Sequence, residues 1–186
     1  YLDDPPWPTE PDGGGYSLTL DCPEQTQTAD HADPFAWRSS RFPGGTPGKH
    51  DHYDFAEWAT ENNLGSEGSY LDDPDSDGVN NLLEYALASD PSSPSGSDLP
   101  VPGHELLTVG MTTELYPTIS FKRPIDAKDL TYSIELSTDL VGWLSGDAVL
   151  VSRTEHPNGT ATEVWRAELP TSAQVRQFMR LKVDGL

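Results

Sequence analysis

The sequence predicts a mainly β fold, with short strands in sandwich-like pieces joined by one short helix–loop–helix. Three observations carry that prediction. From residue 103 onward, short apolar runs recur between turn residues: Glu105–Gly110, Pro117–Lys122, Leu130–Ser137, Ala148–Ser152, Ala161–Glu168 and Phe178–Val183. Short strands at near-regular spacing are the pattern of a β-sandwich. The chain carries 17 Pro and 16 Gly, so much of it is turn, linker or short strand. Apolar repeats of helical period flank one acidic loop between residues 49 and 92.

Composition narrows the chemistry. The formal net charge of -20 leaves no excess of Lys or Arg to displace counterions from phosphates, which argues against nucleic acid as a partner. Such a charge suits solubility, cation binding and an extracellular or cell-surface setting. No run of about 18 apolar residues is present, so no helical membrane insertion is expected. The chain begins at Tyr1 without a signal peptide, and the expectation is a fragment of a longer exported protein. Cys22 is the single cysteine, which excludes an internal disulfide and a cysteine-based zinc site. A small buried hydrophobe is its expected role.

Residues 1–48 are short of core-forming side chains. Pro5, Pro6 and Pro8 around Trp7 bar a helix, because proline removes donors and biases its neighbours to extended forms. Gly13-Gly14-Gly15 reads as a turn, and Tyr16–Leu20 alternates as a half-buried strand. The stretch Ala32–Arg38 reads as one helical turn or an anchored loop. Taken together, Trp7–Leu18, Asp33–Arg38 and Gly44–Gly48 resemble the last part of a bacterial lamin-tail domain. That resemblance implies the C-terminal portion of an immunoglobulin-like β-sandwich over 1–48, with its earlier strands upstream. Without those upstream strands the segment would have an open sheet edge, through which self-assembly is expected.

Between 49 and 92 lies the unit with chemical content. Phe55, Trp58, Ala59 and Asn62 fall on one helical face, and Asp51 or Asp54 is the expected cap, with Glu57 three residues after Asp54. His50 and His52 lack an ordered third ligand, so they read as a solvated helix start. The run Asp73-Pro74-Asp75-Ser76-Asp77-Gly78-Val79-Asn80-Asn81-Leu82-Leu83-Glu84 matches D-x-[DN]-x-[DN]-G-x5-E throughout. Calcium is a hard cation taking about six to eight oxygens, and an EF-hand-like loop supplies them from positions 1, 3, 5, 7, 9 and 12. Those positions are Asp73, Asp75, Asp77, the Val79 carbonyl, Asn81 and Glu84. Gly78 occupies position 6, where the backbone turns sharply. Position 8 carries Asn80 where an aliphatic residue pairs two hands, so a lone hand is expected. An acidic solvated turn is the competing interpretation.

Past the loop, Val79, Leu82, Leu83, Ala86 and Leu87 repeat with helical period, so an exit helix is predicted over about 80–89, stopped by Asp90-Pro91. A helix this short is unstable alone, which couples its folding to Ca2+ binding. The run Asp72–Pro91 resembles the calcium-binding hinge of bacterial secreted proteins, related to dockerin and type 3 thrombospondin repeats. The resemblance implies Asp73, Asp75, Asp77, Asn81 and Glu84 as ligands. Dockerins usually carry two such loops, and this sequence carries one.

Residues 93–102 read as a linker by composition. Over 103–186, Tyr132, Ile134 and Leu136 face one way, and Met179, Leu181 and Val183 oppose Phe178, Arg180 and Lys182. Asn158-Gly159 is a hairpin turn signal. Leu130–Leu140 with Trp143, and Arg176–Leu181, resemble a C-terminal β-domain of large bacterial exported proteins. No reaction attaches to that resemblance.

No Ser/His/Asp, Cys/His or HExxH arrangement is visible, and Gly13-Gly14-Gly15 lacks the Lys and helix of a phosphate loop. Trp143, Trp165 and Tyr132 could stack a sugar, but core or rim roles are favoured. The expectation is a non-catalytic extracellular structural or adhesion module. Calcium would stiffen the hinge between β-domains, and a protein or cell-surface polymer would be the partner. The alternatives are the accessory C-terminal region of a secreted enzyme and a carbohydrate-binding module.

Overall fold

The computed structural model describes residues 6–9, 11–20, 32–45, 47, 53–156, 158–174 and 176–186. Cys22, His50, His52 and the alternative cap Asp51 lie outside them. The chain is mainly β, with antiparallel sheets and two short helices. β1 (Leu18–Leu20) pairs with β2 (Trp37–Ser39). A 3-10 turn over Pro34–Ala36 precedes β2, with the Asp33 carboxylate accepting the Phe35 N–H at 3.0 Å. Trp37 and Arg38 therefore leave that turn and enter a strand.

α1 spans Phe55–Glu61 and α2 spans Asn81–Leu87. Asp54 caps α1, its Oδ1 accepting the Glu57 N–H at 2.8 Å. The remaining strands are β3 (Val101–Val109), β4 (Thr112–Pro124), β5 (Leu130–Ser137), β6 (Leu144–Ser145), β7 (Ala148–His156), β8 (Thr160–Ala167) and β9 (Phe178–Gly185). They form one sheet in the order β3-β4-β8-β7 and a second in the order β6-β5-β9. β3 starts at Val101, inside the stretch whose composition suggests a linker, and the two-residue β6 carries no sequence signal.

Two turns explain the long hairpins. Gly110, at φ 64, opens the two-residue turn between Val109 and Thr112, where positive φ suits the strand twist. Gly159, at φ 75, sits before Thr160, and its N–H donates to the His156 carbonyl at 3.1 Å. Pro117 lies inside β4, yet the β4–β8 ladder begins one residue later, at Thr118–Arg166. Its missing N–H therefore breaks no rung.

The core has two joined parts, and α2 serves both. Tyr85 and Ala86 pack with Trp58, Ala127 and Leu130. Leu87 packs with Ile119, Phe121 and Ile134, flanked by Leu136, Trp165, Met179 and Leu181 from three strands. Burying one such leucine is worth about 1.5–3 kcal/mol. Polar ties reinforce the joint. Tyr132 donates its hydroxyl proton to the Ala86 carbonyl at 2.9 Å. The Tyr85 hydroxyl lies 2.7 Å from Asp129 Oδ1, and Asp129 Oδ2 accepts the Phe55 N–H at 2.7 Å. The helical unit and the sheets thus share one interior. Near the N-terminus, Ser39 donates to Glu155 Oε2 from its hydroxyl at 2.8 Å, which seats β2 beside β7.

Candidate metal centre

The loop folds because its aspartates have backbone N–H groups to accept from. The Asp77 N–H lies 3.2 Å from Asp73 Oδ1 and 3.1 Å from Asp75 Oδ1. The Gly78 N–H donates to Asp73 Oδ2 at 3.0 Å, and the Val79 N–H to Asp77 Oδ1 at 2.8 Å. Gly78 sits at φ 93, a conformation that glycine adopts without a Cβ clash. Ser76, at φ 62, takes a left-handed conformation that costs an ordinary residue more. The result brings ligand oxygens of half-buried Asp73, Asp75 and Asp77 within 4.8 Å of one another.

Asn80, the residue that departs from the paired-hand pattern, has a local task. It caps α2, its Oδ1 accepting the Leu83 N–H at 3.2 Å. Asn81 is wholly buried, and its amide nitrogen donates to the carbonyls of Glu67 at 2.7 Å and Ser69 at 2.9 Å. Those two bonds fix which end of the amide is which, and they leave Asn81 Oδ1 without a hydrogen-bond partner. Val79 is buried at the position whose carbonyl is a predicted ligand.

Glu84 is the most informative side chain. It is 0% exposed, on the first turn of α2. Its Oε1 accepts the Ser95 hydroxyl at 2.9 Å, and its Oε2 has no partner. Burial pushes its pKa up to about 7, and the charges of Asp75, Asp77 and Asp73 add to that shift against the Ser95 bond. Asp75 is also raised, by desolvation first and then by its neighbours, and Asp75 Oδ2 is a further buried oxygen without a partner. An ionised oxygen buried with no donor costs several kcal/mol of hydration, as an order of magnitude. The carboxylates of Asp73, Asp75 and Asp77 are the group brought close enough to hold a cation, and Glu84 lies outside that 4.8 Å cluster while feeling its charge. No nitrogen or sulfur ligand joins it among the described residues.

Nothing in the sequence marks Ser95. It is buried, donates its hydroxyl to Glu84, and donates its backbone N–H to Asp77 Oδ2. The Ser- and Pro-rich composition around it reads as linker, and only the fold brings it back over the loop. Pro91, at the helix stop, is buried beneath the same return. Asp98, three residues past Ser95, pairs with Lys122 of β4 at 3.2 Å and carries the return onto the sheet.

The aromatics considered for sugar stacking have other contacts. Tyr132 stacks on Phe121 at 6.2 Å with Arg123 over its ring at 4.3 Å. The Trp165 indole N–H donates to Glu163 at 2.8 Å, and Arg180 covers Trp143 at 4.1 Å. No family model, curated protein or solved structure matches the chain.

Proposed function

We propose that the chain is a non-catalytic calcium-binding structural module of an extracellular protein, in which the ion fastens the helical unit onto the β-sheets. The observation that carries this is Glu84: a wholly buried carboxylate with an unpartnered oxygen, electrostatically coupled to Asp73, Asp75 and Asp77. A bound cation relieves both the unpaired oxygen and the crowding of like charges. Asp73, Asp75, Asp77, the Val79 carbonyl, Asn81 and Glu84 would hold it. An all-oxygen set with a glutamate at position 12 favours calcium over the transition metals. The ion would supply positive charge and folding free energy.

Support for the mechanical role comes from α2. One end of this helix carries the ligands Asn81 and Glu84, and the other inserts Tyr85, Ala86 and Leu87 into the shared core. An ion that fixes α2 therefore also fixes the entry of the β-sheets. The hinge expected from the sequence becomes a fastening on this side. The extracellular setting, an immunoglobulin-like sandwich, and kinship with lamin-tail and dockerin-like or thrombospondin type 3-like units belong to the same proposal, supported by the motifs and the charge.

Calorimetry on chelator-stripped protein, with parallel thermal melts, tests it. The expected outcome is one calcium per chain and a raised melting temperature. Absence of binding, or binding that leaves the melt unmoved, reduces the loop to an acidic turn.

A further inference from the structure

The two larger sheets have four edge strands among the described residues, and three are guarded. β7 is bulged between Leu150 and Ser152 and has β2 seated beside it through Ser39 and Glu155. β6 is two residues long. β9 alternates Arg180, Lys182 and Asp184 along its length, and its last residue, Gly185, packs against the Tyr70 ring. Short, bulged, covered and charged edges are the usual defences against unwanted pairing.

β3 differs from all three. It runs nine residues, and among the described residues no strand pairs with its outer side. Glu105 is its single acidic residue in a chain of net charge -20, and it carries no Lys or Arg. Its large side chains stand in solvent, with Leu106 at 70% exposure, Val101 at 59%, and Met111 in the turn beyond at 101%.

We propose that β3 is a self-pairing edge, joining two copies of the chain antiparallel about a twofold axis through Leu106. The hairpin fixes which groups are available. Val109 and Thr112 flank the two-residue turn, so they form the closing hydrogen-bonded pair of the β3–β4 ladder. Alternation then turns the backbone groups of His104, Leu106 and Thr108 outward. In the Leu106 register these three donate to, and accept from, the same three residues of the copy. Leu106 meets Leu106, His104 meets Thr108, Gly103 meets Val109, and Val101 meets Met111. Glu105 meets Leu107 rather than its own copy, so no like charges oppose. Pro102, which cannot donate, falls at the start of the strand, outside the paired donors. A second copy is the occupant because the register sets Leu106 against Leu106 and Val101 against Met111 and opposes no like charges. The remaining acidity of the chain repels the copy at long range, so added monovalent salt strengthens pairing.

Sedimentation of the full chain across a range of concentrations tests this. The expected mass rises from 20.3 kDa toward twice that value, and does so at lower protein concentration in higher salt. In a Cys22→Ser background, Leu106→Cys is expected to give an oxidised covalent dimer, because directly opposed residues lie within disulfide reach. Leu107→Cys is expected to give none, since its copy lies diagonally across the pairing. Leu106→Pro removes an outward N–H and leaves the β3–β4 ladder intact, so it should abolish the dimer without moving the melt of the monomer. A chain that stays monomeric throughout overturns the proposal. So does a dimer indifferent to Leu106→Pro, or cross-linking by Leu107→Cys as readily as by Leu106→Cys.

Discussion

Two acidic turns in this protein look alike in sequence and differ in what they ask of their surroundings. Asp139, after β5, accepts the N–H groups of Val141 and Gly142, each at 2.9 Å, and the Ser137 hydroxyl at 3.1 Å, all on Oδ1. Those donors hold its carboxyl below the ordinary carboxylate range. The turn is complete with its own chain, even with Leu140 held at φ 65. The 73–84 loop also gives its aspartates backbone donors, but leaves buried oxygens on Asp75 and Glu84 unmatched and pushes both groups up. Acidity alone therefore does not distinguish the two turns. What separates them is a carboxylate whose burial outruns its donors.

Withholding the ion separates the two turns most strongly. At calcium a hundredfold above its dissociation constant, chelation should cost about 2.7 kcal/mol of stability. For a chain of this size that is a drop of about 5–10 °C in melting temperature. Melts with and without chelator measure it. Equal melts would place the two turns in one class.

Next comes Glu84→Gln, set beside Asp139→Ala. The glutamine removes the charge a cation needs, so the calcium-dependent gain should vanish, while the chelated protein loses no stability at neutral pH because a buried charge has gone. Asp139→Ala should lower the melt slightly and equally in both conditions. A calcium-dependent effect at Asp139, or calcium binding that survives Glu84→Gln, would dissolve the distinction.

Ser95→Ala should act more gently. Ser95 holds Glu84 through its hydroxyl, and it stands behind the proposed ligands without replacing one. Removing such a partner typically weakens metal affinity about 10–100-fold. Titration calorimetry reads this directly, and Ser95→Thr should recover part of the loss. An unchanged affinity would mean that the Ser95 contact is packing only.

The sequence made some of this legible and hid the rest, for physical reasons. β5 was readable to the residue because it alternates between a core face and a polar face, and the helix at Phe55–Glu61 was readable because helical periodicity is local, while the capping signals offered both Asp51 and Asp54. β4 runs past its expected limits since Thr112–Leu115 pairs only with β3 and stays unburied. The spacing that crowds Asp73, Asp75 and Asp77 together was also local. Ser95 was not: its burial comes from a chain reversal after Pro91, and composition there speaks only of loops. Likewise the apolar stripe of α2 was visible, but nothing in it said that Leu87 would enter the core of the sheets. The unguarded edge of β3 followed only from the strand order.

The pH dependence of the chelated protein has a sign that separates the two turns once more. Glu84 has a folded pKa of about 7, above its ordinary carboxylate value, so the folded state holds the proton more tightly than the unfolded chain. Stability is then greatest below the unfolded pKa and is lost as pH rises through the folded pKa, a window from about 4.5 to 7. Asp139 runs the other way: its lowered pKa contributes stability above its unfolded value, lost as pH falls. Melts of chelated protein between pH 5 and about 7.5 should therefore fall, the Asp139 contribution being already constant there. Glu84→Gln should flatten the slope and Asp139→Ala should leave it. With calcium bound, Glu84 stays ionised as a ligand, so the slope should flatten or reverse as protons compete with the ion at the acid end. A falling melt that persists in Glu84→Gln would assign the titration to another group and remove the burial argument from the loop.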